Sequence, residues 1–250
     1  MPPDTIYHID PQSDVPLYHQ VKENLRELIE DRRLEPEDML PSERELGKLY
    51  GVSRPTVRQA VHELVQEGLL RRVPGIGTFV AKPKVVQVFP TVLGFSARMR
   101  QEGHATINRI LRQQQEPASP SVARRLHIPE GASVVRLVRL RIVDNEPLMI
   151  ETSFLPLERF PELLSDDFAI RSLYDVISAR YGITISELDQ TLEPVLTTEY
   201  EASLLGSSPG SPAMLLEVIA CDAQGEPFEF SKAIVRGDKS QYYFRMRASQ

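Results

Sequence analysis

Four side chains within one short stretch carry hydrogen-bonding groups that suit the reading of DNA. They are Arg54, Thr56, Arg58 and Gln59, all in the first turns of a predicted helix. An arginine can bond guanine through two donors, a glutamine can pair with adenine, and a threonine can reach a phosphate or a thymine methyl group. A helix that exposes these groups together fits the DNA major groove. The stretch therefore predicts double-stranded DNA as a partner.

Signals on either side of this stretch predict a helix-turn-helix. Ser42 and Glu45 have the spacing of a capping box, so a first helix is expected to start directly after Ser42. Gly51 can adopt the positive φ that ends this helix, and Ser53 can cap a second helix, which is expected to end at Gly68. Two short helices joined by a tight turn follow from these positions.

A glycine-rich hairpin is predicted directly after the second helix, in residues 69–80. Its turn contains Gly75 and Gly77, which let backbone amides approach a phosphate or a minor-groove edge without an intervening Cβ. Arg71 and Arg72 add positive charge at its base. The segment has the layout of a winged helix-turn-helix. The alternative, an ordinary helical fragment with a hairpin, requires all these signals to coincide by chance.

A dense set of motifs runs through the same part of the chain: Pro16-Leu17-Tyr18, Leu40-Pro41-Ser42-Glu43-Arg44-Glu45-Leu46, Gly51-Val52-Ser53-Arg54, Thr56-Val57-Arg58, and Glu67-Gly68-Leu69 through Val80. In these motifs the chain resembles the GntR family of transcription regulators. The resemblance implies DNA contacts by the matching residues: Arg44, Arg54 and Arg58, with Ser42, Ser53 and Thr56 at phosphates and Gly75 and Gly77 in the minor groove. Glu37-Asp38 departs from the usual Pro-Gly pair, so a reshaped turn is expected there without loss of function.

The charge of the chain is unevenly distributed. Its net charge of −6, with a pI near 5.5, argues by itself against DNA binding. Residues 1–43 contain four Lys/Arg and eleven Asp/Glu, whereas residues 44–82 contain seven Lys/Arg against three Asp/Glu. The predicted DNA-binding segment is therefore locally basic. A cationic face of this limited size binds DNA weakly alone, which favours a homodimer on a near-palindromic site.

The length of 250 residues exceeds the roughly eighty that one winged module needs, and it leaves enough chain for a second domain. A stretch bracketed by Pro83 and Pro90 can run extended between two domains. We therefore expect a DNA-binding domain in residues 1–82, a linker in 83–90 and a second domain in 91–250.

The sequence contains no signal for a metal, a cofactor or a membrane. Cys221 is the single cysteine, and the five histidines show no metal-ligand spacing with it or with acidic residues. No catalytic pair of nucleophile and base is recognisable. No apolar run reaches the roughly 18 residues of a membrane span, and the N-terminus lacks the apolar core of a signal peptide. A cytoplasmic protein without cofactor is expected.

The second domain is predicted to be α+β. Strands are expected near 105–115, 133–144, 147–155, 184–196, 213–223, 226–236 and 241–248, and helices near 95–102, 119–127, 171–181 and 198–205. Turn residues at 144–147 and 223–227 each separate two strand-like runs, which is typical of long hairpins. An antiparallel sheet with helices packed on it follows.

Strand alternation predicts a polar pocket in this domain. Arg139 and Arg141 share one face of their strand with apolar residues, and such buried charges need partners. Pairs on neighbouring strands likewise fall on single faces: Glu151 with Ser153, and Glu229 with Ser231. Paired arginines suit a phosphate or a carboxylate, and glutamates suit sugar hydroxyls or an amine. The alternative is a solvated face on which the arginines pair with the glutamates across strands.

Further motifs carry a second resemblance: Leu93-Gly94-Phe95-Ser96, Arg139-Leu140-Arg141, Glu146-Pro147 through Glu151, and Arg236-Gly237-Asp238. In them the chain resembles the HutC branch of GntR regulators, whose effector domain, UTRA, has a fold similar to chorismate lyase. The resemblance implies that residues 91–250 bind the effector and dimerise. It also implies an effector site: Phe95, Ser96, Arg139, Arg141, Ser172 and Tyr174 for a phosphate, and Glu151 and Glu229 for a sugar. Ile234-Val235 departs from the pattern, because a tyrosine is often found there.

Together these features predict a transcription repressor that responds to a ligand. A small anionic metabolite, either a sugar phosphate or a carboxylate, is expected to change the placement of two DNA-binding heads in a homodimer. The heads would then no longer match half-sites spaced about 34 Å apart or a multiple of that distance. The alternatives are a catalytic second domain or a ligand-insensitive one. A fold similar to a lyase does not by itself confer activity.

Overall fold

The computed structural model describes residues 9–89 and 94–244. Leu93 of the second resemblance and the end of the last predicted strand, at 245–248, lie outside the described residues. No helix in the described ranges is long and apolar enough to cross a membrane.

The chain forms two compact units that do not follow a single division of the sequence. Unit 1 contains the chain up to Val85 and also the segment Gly237–Gln241. Unit 2 contains Val86–Arg236 and resumes at Tyr242. The chain therefore passes between the units three times. The predicted linker at 83–90 and the predicted domain limits stay a prediction.

Unit 1 contains three helices and a two-stranded antiparallel hairpin: α1 (Leu17–Glu30), α2 (Glu43–Tyr50), α3 (Arg54–Gln66), β1 (Leu70–Val73) and β2 (Gly77–Val80). The predicted capping box is confirmed, since the Ser42 hydroxyl accepts from the Glu45 amide at 3.3 Å and the Glu45 carboxylate accepts from the Ser42 amide at 2.9 Å. Gly51 ends α2 with φ 67°, and Ser53 caps α3. The predicted helix-turn-helix is present.

Apolar side chains from all three helices form the core of unit 1. Leu25 and Leu28 of α1 are fully buried against Leu46 of α2 and against Val57 and Leu64 of α3. Burying one such side chain contributes roughly 1.5–3 kcal/mol. Because this core uses only one side of α3, the opposite side of the helix stays exposed.

The chain continues with strands and short helices: β3 (Val85–Phe89), α4 (Phe95–Gln101), β4 (Thr106–Pro117), α5 (Pro120–Leu126), β5 (Ser133–Val143), β6 (Glu146–Pro156), α6 (Leu173–Tyr181), β7 (Glu187–Leu196), α7 (Glu199–Leu205), β8 (Pro212–Cys221), β9 (Pro227–Arg236) and β10 (Ser240–Phe244). Strands β4 to β9 form one six-stranded antiparallel sheet in the order β4-β5-β6-β9-β8-β7. Strands β3 and β10 form a separate pair. The predicted α+β fold is confirmed.

The two faces of the large sheet bury different clusters. Val135 and Leu137 of β5 pack with α6 and with Phe228, whereas Val138 and Leu140 face the other side and pack with Leu205 of α7. This alternation is the period of two expected of a strand. It places the odd-numbered residues of β5, including both arginines, on the same side as α6.

Candidate DNA-reading face and candidate anion cavity

Unit 1 presents a basic surface, the candidate DNA-reading face, made by α2, α3 and the wing: Arg44, Arg54, Thr56, Arg58, Gln59, Arg72 and Gly75–Gly77. The arginines predicted to contact DNA are exposed, and the side chains of Arg54 and Arg58 are 67% and 56% accessible. Gln59 is also exposed, while Thr56 is half-buried. The predicted reading groups therefore lie together on the side of α3 that the core leaves free.

The three predicted phosphate-binding hydroxyls also have local roles. The Ser42 hydroxyl donates to the Glu45 carboxylate at 2.7 Å, and the hydroxyls of Ser53 and Thr56 lie 2.7 Å apart. These bonds secure the first turns of α2 and α3, where unpaired backbone N–H groups favour an anion. Contacts of these hydroxyls with phosphate stay a prediction.

The wing turn projects small and apolar groups. Gly75 is exposed with φ 74°, a conformation that favours glycine, and open space surrounds the position of a Cβ. Ile76 next to it is 68% exposed. Sequence reasoning did not assign a role to Ile76, although an apolar residue between two turn glycines was visible in the sequence.

One acidic residue lies within the DNA-reading face. The Glu43 carboxylate is 3.2 Å from Arg54 Nε, 3.6 Å from Arg58 Nε and 3.2 Å from Arg72 Nη2. Glu43 is the first residue of α2, so a carboxylate there also suits the helix dipole. The sequence placed Glu43 inside a motif but gave no signal that three arginines from two other elements converge on it.

Unit 2 contains a cavity of about 70 Å³ on the α6 side of its sheet, the anion cavity. Strands β5, β6 and β9 lie side by side and contribute charged residues. Arg139 of β5 pairs in register with Glu151 of β6, and Glu229 lies on β9. Helices α4 and α6 add Phe95 and Tyr174. With Arg141, six residues predicted from separate parts of the sequence therefore meet here.

Arg139 is the least satisfied group in this cavity. Its side chain is 1% exposed. Its Nη2 donates to the Glu151 carboxylate, and also to Ser153 Oγ, which lies 3.4 Å away. Its Nε and Nη1 have no hydrogen-bond partner among the described residues. A buried donor left without a partner costs roughly 1–3 kcal/mol, more for a charged group. The geometry therefore leaves two nitrogens of a charged guanidinium, with three N–H groups between them, to be matched by an acceptor.

Arg141, by contrast, is bonded through all three of its nitrogens. Its Nε and Nη2 donate to the Glu151 carboxylate at 3.0 and 2.5 Å, and its Nη1 donates to Asn108 at 3.1 Å and to Ser96 at 3.3 Å. Burial, together with the charge of Arg139, lowers the pKa of Arg141 to about 10. It stays protonated at neutral pH and holds Glu151 in place.

The two carboxyl groups of the cavity have different electrostatic environments. Burial opposes ionisation of Glu151, but Arg139 and Arg141 hold its pKa below the ordinary value. Burial raises the pKa of Glu229, and the charge of Glu151 raises it further. The Tyr174 hydroxyl, whose own pKa is raised mainly by burial, is bonded to the Glu229 carboxyl. Glu151 is thus the fixed anion, the carboxyl whose ionised form the arginines favour, whereas the surroundings of Glu229 disfavour its ionised form.

The alternative, in which the arginines lie on a solvated face, is wrong, although the cross-strand pairing with a glutamate that it included is present. Arg139 and Arg141 are 1% and 4% exposed. Two further predicted residues do not line the cavity. Ser96 contacts Arg141 from outside it, and Ser172 caps α6 by accepting from the Asp175 amide at 3.5 Å. Ligand binding by the predicted residues stays a prediction.

Apolar side chains also line the cavity. They are residues that sequence reasoning did not select: Met149, Ile185, Leu188, Leu216, Val218 and Ala233. Arg98 and Gln190 also line the cavity. Alternation along β7 and β8 was readable in the sequence, but it did not show which strands lie next to β9. No group of three or more potential metal ligands occurs in the described part of the chain.

The chain combines a basic winged helix-turn-helix with a sheet domain that encloses buried arginines. This combination defines a DNA-binding transcription regulator with a second, ligand-binding domain. Residues 17–80 match the bacterial regulatory proteins of the gntR family, and residues 101–241 match the UTRA domain. The chain therefore belongs to the GntR family, and the predicted HutC branch with its UTRA domain is confirmed.

Similar proteins of known name agree with this membership. The HTH-type transcriptional repressor NagR of Bacillus subtilis (strain 168) is 36% identical over 239 residues, covering 96% of this chain and 98% of that protein. The histidine utilization repressor of Klebsiella aerogenes is 30% identical over 201 residues, covering 80% and 83%. The crystal structure of PhnF from Mycobacterium smegmatis has a TM-score of 0.65 and 29% identity, and covers 92% of this chain and 100% of that chain.

Proposed function

We propose that the chain represses transcription as a cytoplasmic homodimer bound to a near-palindromic operator, and that a small anionic metabolite in the anion cavity weakens this binding. The observation that carries the proposal is Arg139, a buried guanidinium whose Nε and Nη1 have no hydrogen-bond acceptor among the described residues. The two relatives described above, both named as repressors, support the sign of regulation.

The balance of charge favours an anion. Three guanidinium groups line the cavity, from Arg98, Arg139 and Arg141, against the carboxyls of Glu151 and Glu229. Glu229 is the carboxyl with the raised pKa, so its ionised form is less favoured than that of Glu151. A phosphate or carboxylate oxygen would accept from Arg139 Nε and Nη1 in charge-assisted bonds, which are stronger than neutral ones. The ligand would share Arg139 with Glu151.

The volume of the cavity sets a condition on binding. About 70 Å³ is well below the roughly 300–1,000 Å³ of ordinary ligand pockets, so lining side chains must move when a sugar phosphate enters. Tyr174 lines the cavity, and its ring lies so close to Gly94 that a Cβ there would meet it at 2.2 Å. A ligand that binds the opened arrangement would also favour a placement of the two DNA-binding heads that does not suit the operator. Because the coupling between two binding sites is reciprocal, such a ligand must weaken DNA binding.

The dimer follows from the limited basic face. One head has few cations in an otherwise acidic chain, so two heads on one operator would be needed for tight and salt-resistant binding. A catalytic second domain is the competing possibility. The described cavity groups are paired arginines, carboxyls and a tyrosine, an arrangement that binding explains without a nucleophile. Turnover of any bound metabolite would overturn the non-enzymatic proposal.

A thermal-shift screen of the full chain with phosphosugars, small carboxylates and inorganic phosphate tests the cavity. Arg139→Met removes the donors and keeps much of the aliphatic volume. The matched control is Arg136→Met, on the opposite face of the same strand, where Arg136 pairs with Glu116. We expect stabilisation by a hit, and release of operator DNA by the same compound, to be lost in Arg139→Met and kept in Arg136→Met. A hit unaffected by Arg139→Met sinks the site assignment.

A further inference from the structure

We infer that Glu43 is a specificity-determining residue of the DNA-reading face, which positions the reading arginines and keeps them from binding phosphates of any sequence. The inference rests on the proposed DNA-reading face. It assigns to an acidic side chain, in the middle of a basic surface, the task of raising the ratio between specific and nonspecific binding.

Three cationic side chains converge on the Glu43 carboxylate. Arg54 and Arg58 reach it from α3 and Arg72 from β1, at distances of 3.2, 3.6 and 3.2 Å. The Glu43 side chain is 23% accessible, so it is held within the surface, whereas the arginines around it are far more exposed. One side chain therefore fixes groups from the reading helix and from the wing.

Glu43 lies against the Nε atoms of both Arg54 and Arg58. No described residue forms a hydrogen bond with the terminal nitrogens, Nη1 and Nη2, of either side chain. Those terminal pairs are the ones that can bond O6 and N7 of a guanine together. Glu43 thus restrains the long side chains while leaving their recognition ends free.

Glu43 also has an electrostatic effect on DNA binding. A carboxylate among three guanidiniums lowers the local charge that the phosphate backbone meets, and this backbone attraction supplies nearly all nonspecific affinity. At a cognate site, base contacts offset this loss of phosphate attraction. At other sequences no base contacts form, and the loss is not offset. Repulsion that acts mainly on the wrong partner is an effective way to gain specificity.

A purely structural role makes a different prediction. Glu43 is the first residue of α2, and exposed ion pairs or helix-dipole contacts contribute little to stability. If that were its only role, its loss would weaken binding to all sequences in parallel, through a less stable head. The two roles are therefore separated by the ratio of affinities and not by either affinity alone.

The test is Glu43→Gln in the full chain, measured on a duplex selected by the wild type from a random pool and on an unrelated duplex of equal length, over a series of salt concentrations. We expect affinity for the selected duplex to fall about tenfold, in the range of a lost base contact. Affinity for the unrelated duplex should rise about threefold, and its salt dependence should steepen by about one in log–log slope, because the arginines are freed for phosphates.

The matched control is Glu37→Gln, which removes the same charge from unit 1 at a residue paired with Arg71. It should change both affinities in parallel. Parallel changes in Glu43→Gln as well would overturn the inference. Arg54→Ala and Arg58→Ala keep the outcomes distinct: if neither alters sequence preference, the proposed DNA-reading face itself fails, and if they do while Glu43→Gln does not, only the role of Glu43 fails.

Discussion

The backbone of Asp238 passes so close to Gly68 that a Cβ built on Gly68 would lie 2.0 Å from the Asp238 carbonyl oxygen. Both residues belong to unit 1, although they are far apart in the sequence. Gly68 follows the end of α3, and Asp238 follows the end of β9, the strand that carries Glu229. The returning segment is also held by Lys84 Nζ, which donates to the Gly237 carbonyl at 3.0 Å. Only glycine allows this close approach directly after α3.

Replacing Gly68 by alanine should destabilise unit 1 strongly. A positive φ of 76° costs about 1 kcal/mol for alanine, and the overlap with the Asp238 backbone adds about 1–3 kcal/mol. The matched control is Gly131→Ala, where φ is 78° and nothing lies within 4 Å of the Cβ position, so only the first cost applies. Urea unfolding of the full chain measures both. Equal losses in the two variants would contradict the role of the close approach.

Glu229 should make stability fall as pH rises. Its pKa is raised in the folded protein, so above its ordinary value near 4.5 the folded state holds a proton that the unfolded state has lost. The free energy of unfolding therefore declines through this window, up to the raised pKa. In Glu229→Gln the decline should be absent, so the stability of the variant relative to wild type should grow with pH. Denaturation measured from pH 4 upwards checks this, and parallel pH profiles would show that the prediction is wrong.

Removing the carboxylate of Glu151, the fixed anion of the cavity, should lower the stability of the protein. An added anion should restore part of that stability. Glu151→Gln leaves Arg139 and Arg141 buried without their shared carboxylate, for which the expected loss is about 3–5 kcal/mol. Inorganic phosphate should raise the melting temperature of this variant more than chloride does at equal ionic strength. The control is Glu217→Gln, whose carboxylate pairs with Arg125 and Lys232 on a more exposed site. A phosphate effect of the same size in both variants would mean general salt stabilisation.

Much of the fold could be predicted because its signals are local. Capping residues, turn glycines and strand alternation act over a few residues, and Ser42, Gly51 and Ser53 end or begin helices as expected. Alternation also placed Arg139 and Arg141 on one face. The sequence did not reveal the order of strands in the sheet, so the apolar residues that line the cavity from β7 and β8 were missed. The phosphate contact of Ser172, which the resemblance implied, stays a prediction; in the structure its side chain caps α6.

The sequence by itself determined that the chain has a winged helix-turn-helix, an antiparallel sheet domain and a basic segment in an acidic whole, because each depends on neighbouring residues or on composition. Only the tertiary structure decided which charges meet. Glu43 acquires three arginines, Arg139 keeps two nitrogens unmatched, and Gly68 faces Asp238 because distant segments are brought together by packing of the cores. Interaction energies between such groups depend on distance and burial, which no local pattern in the sequence specifies.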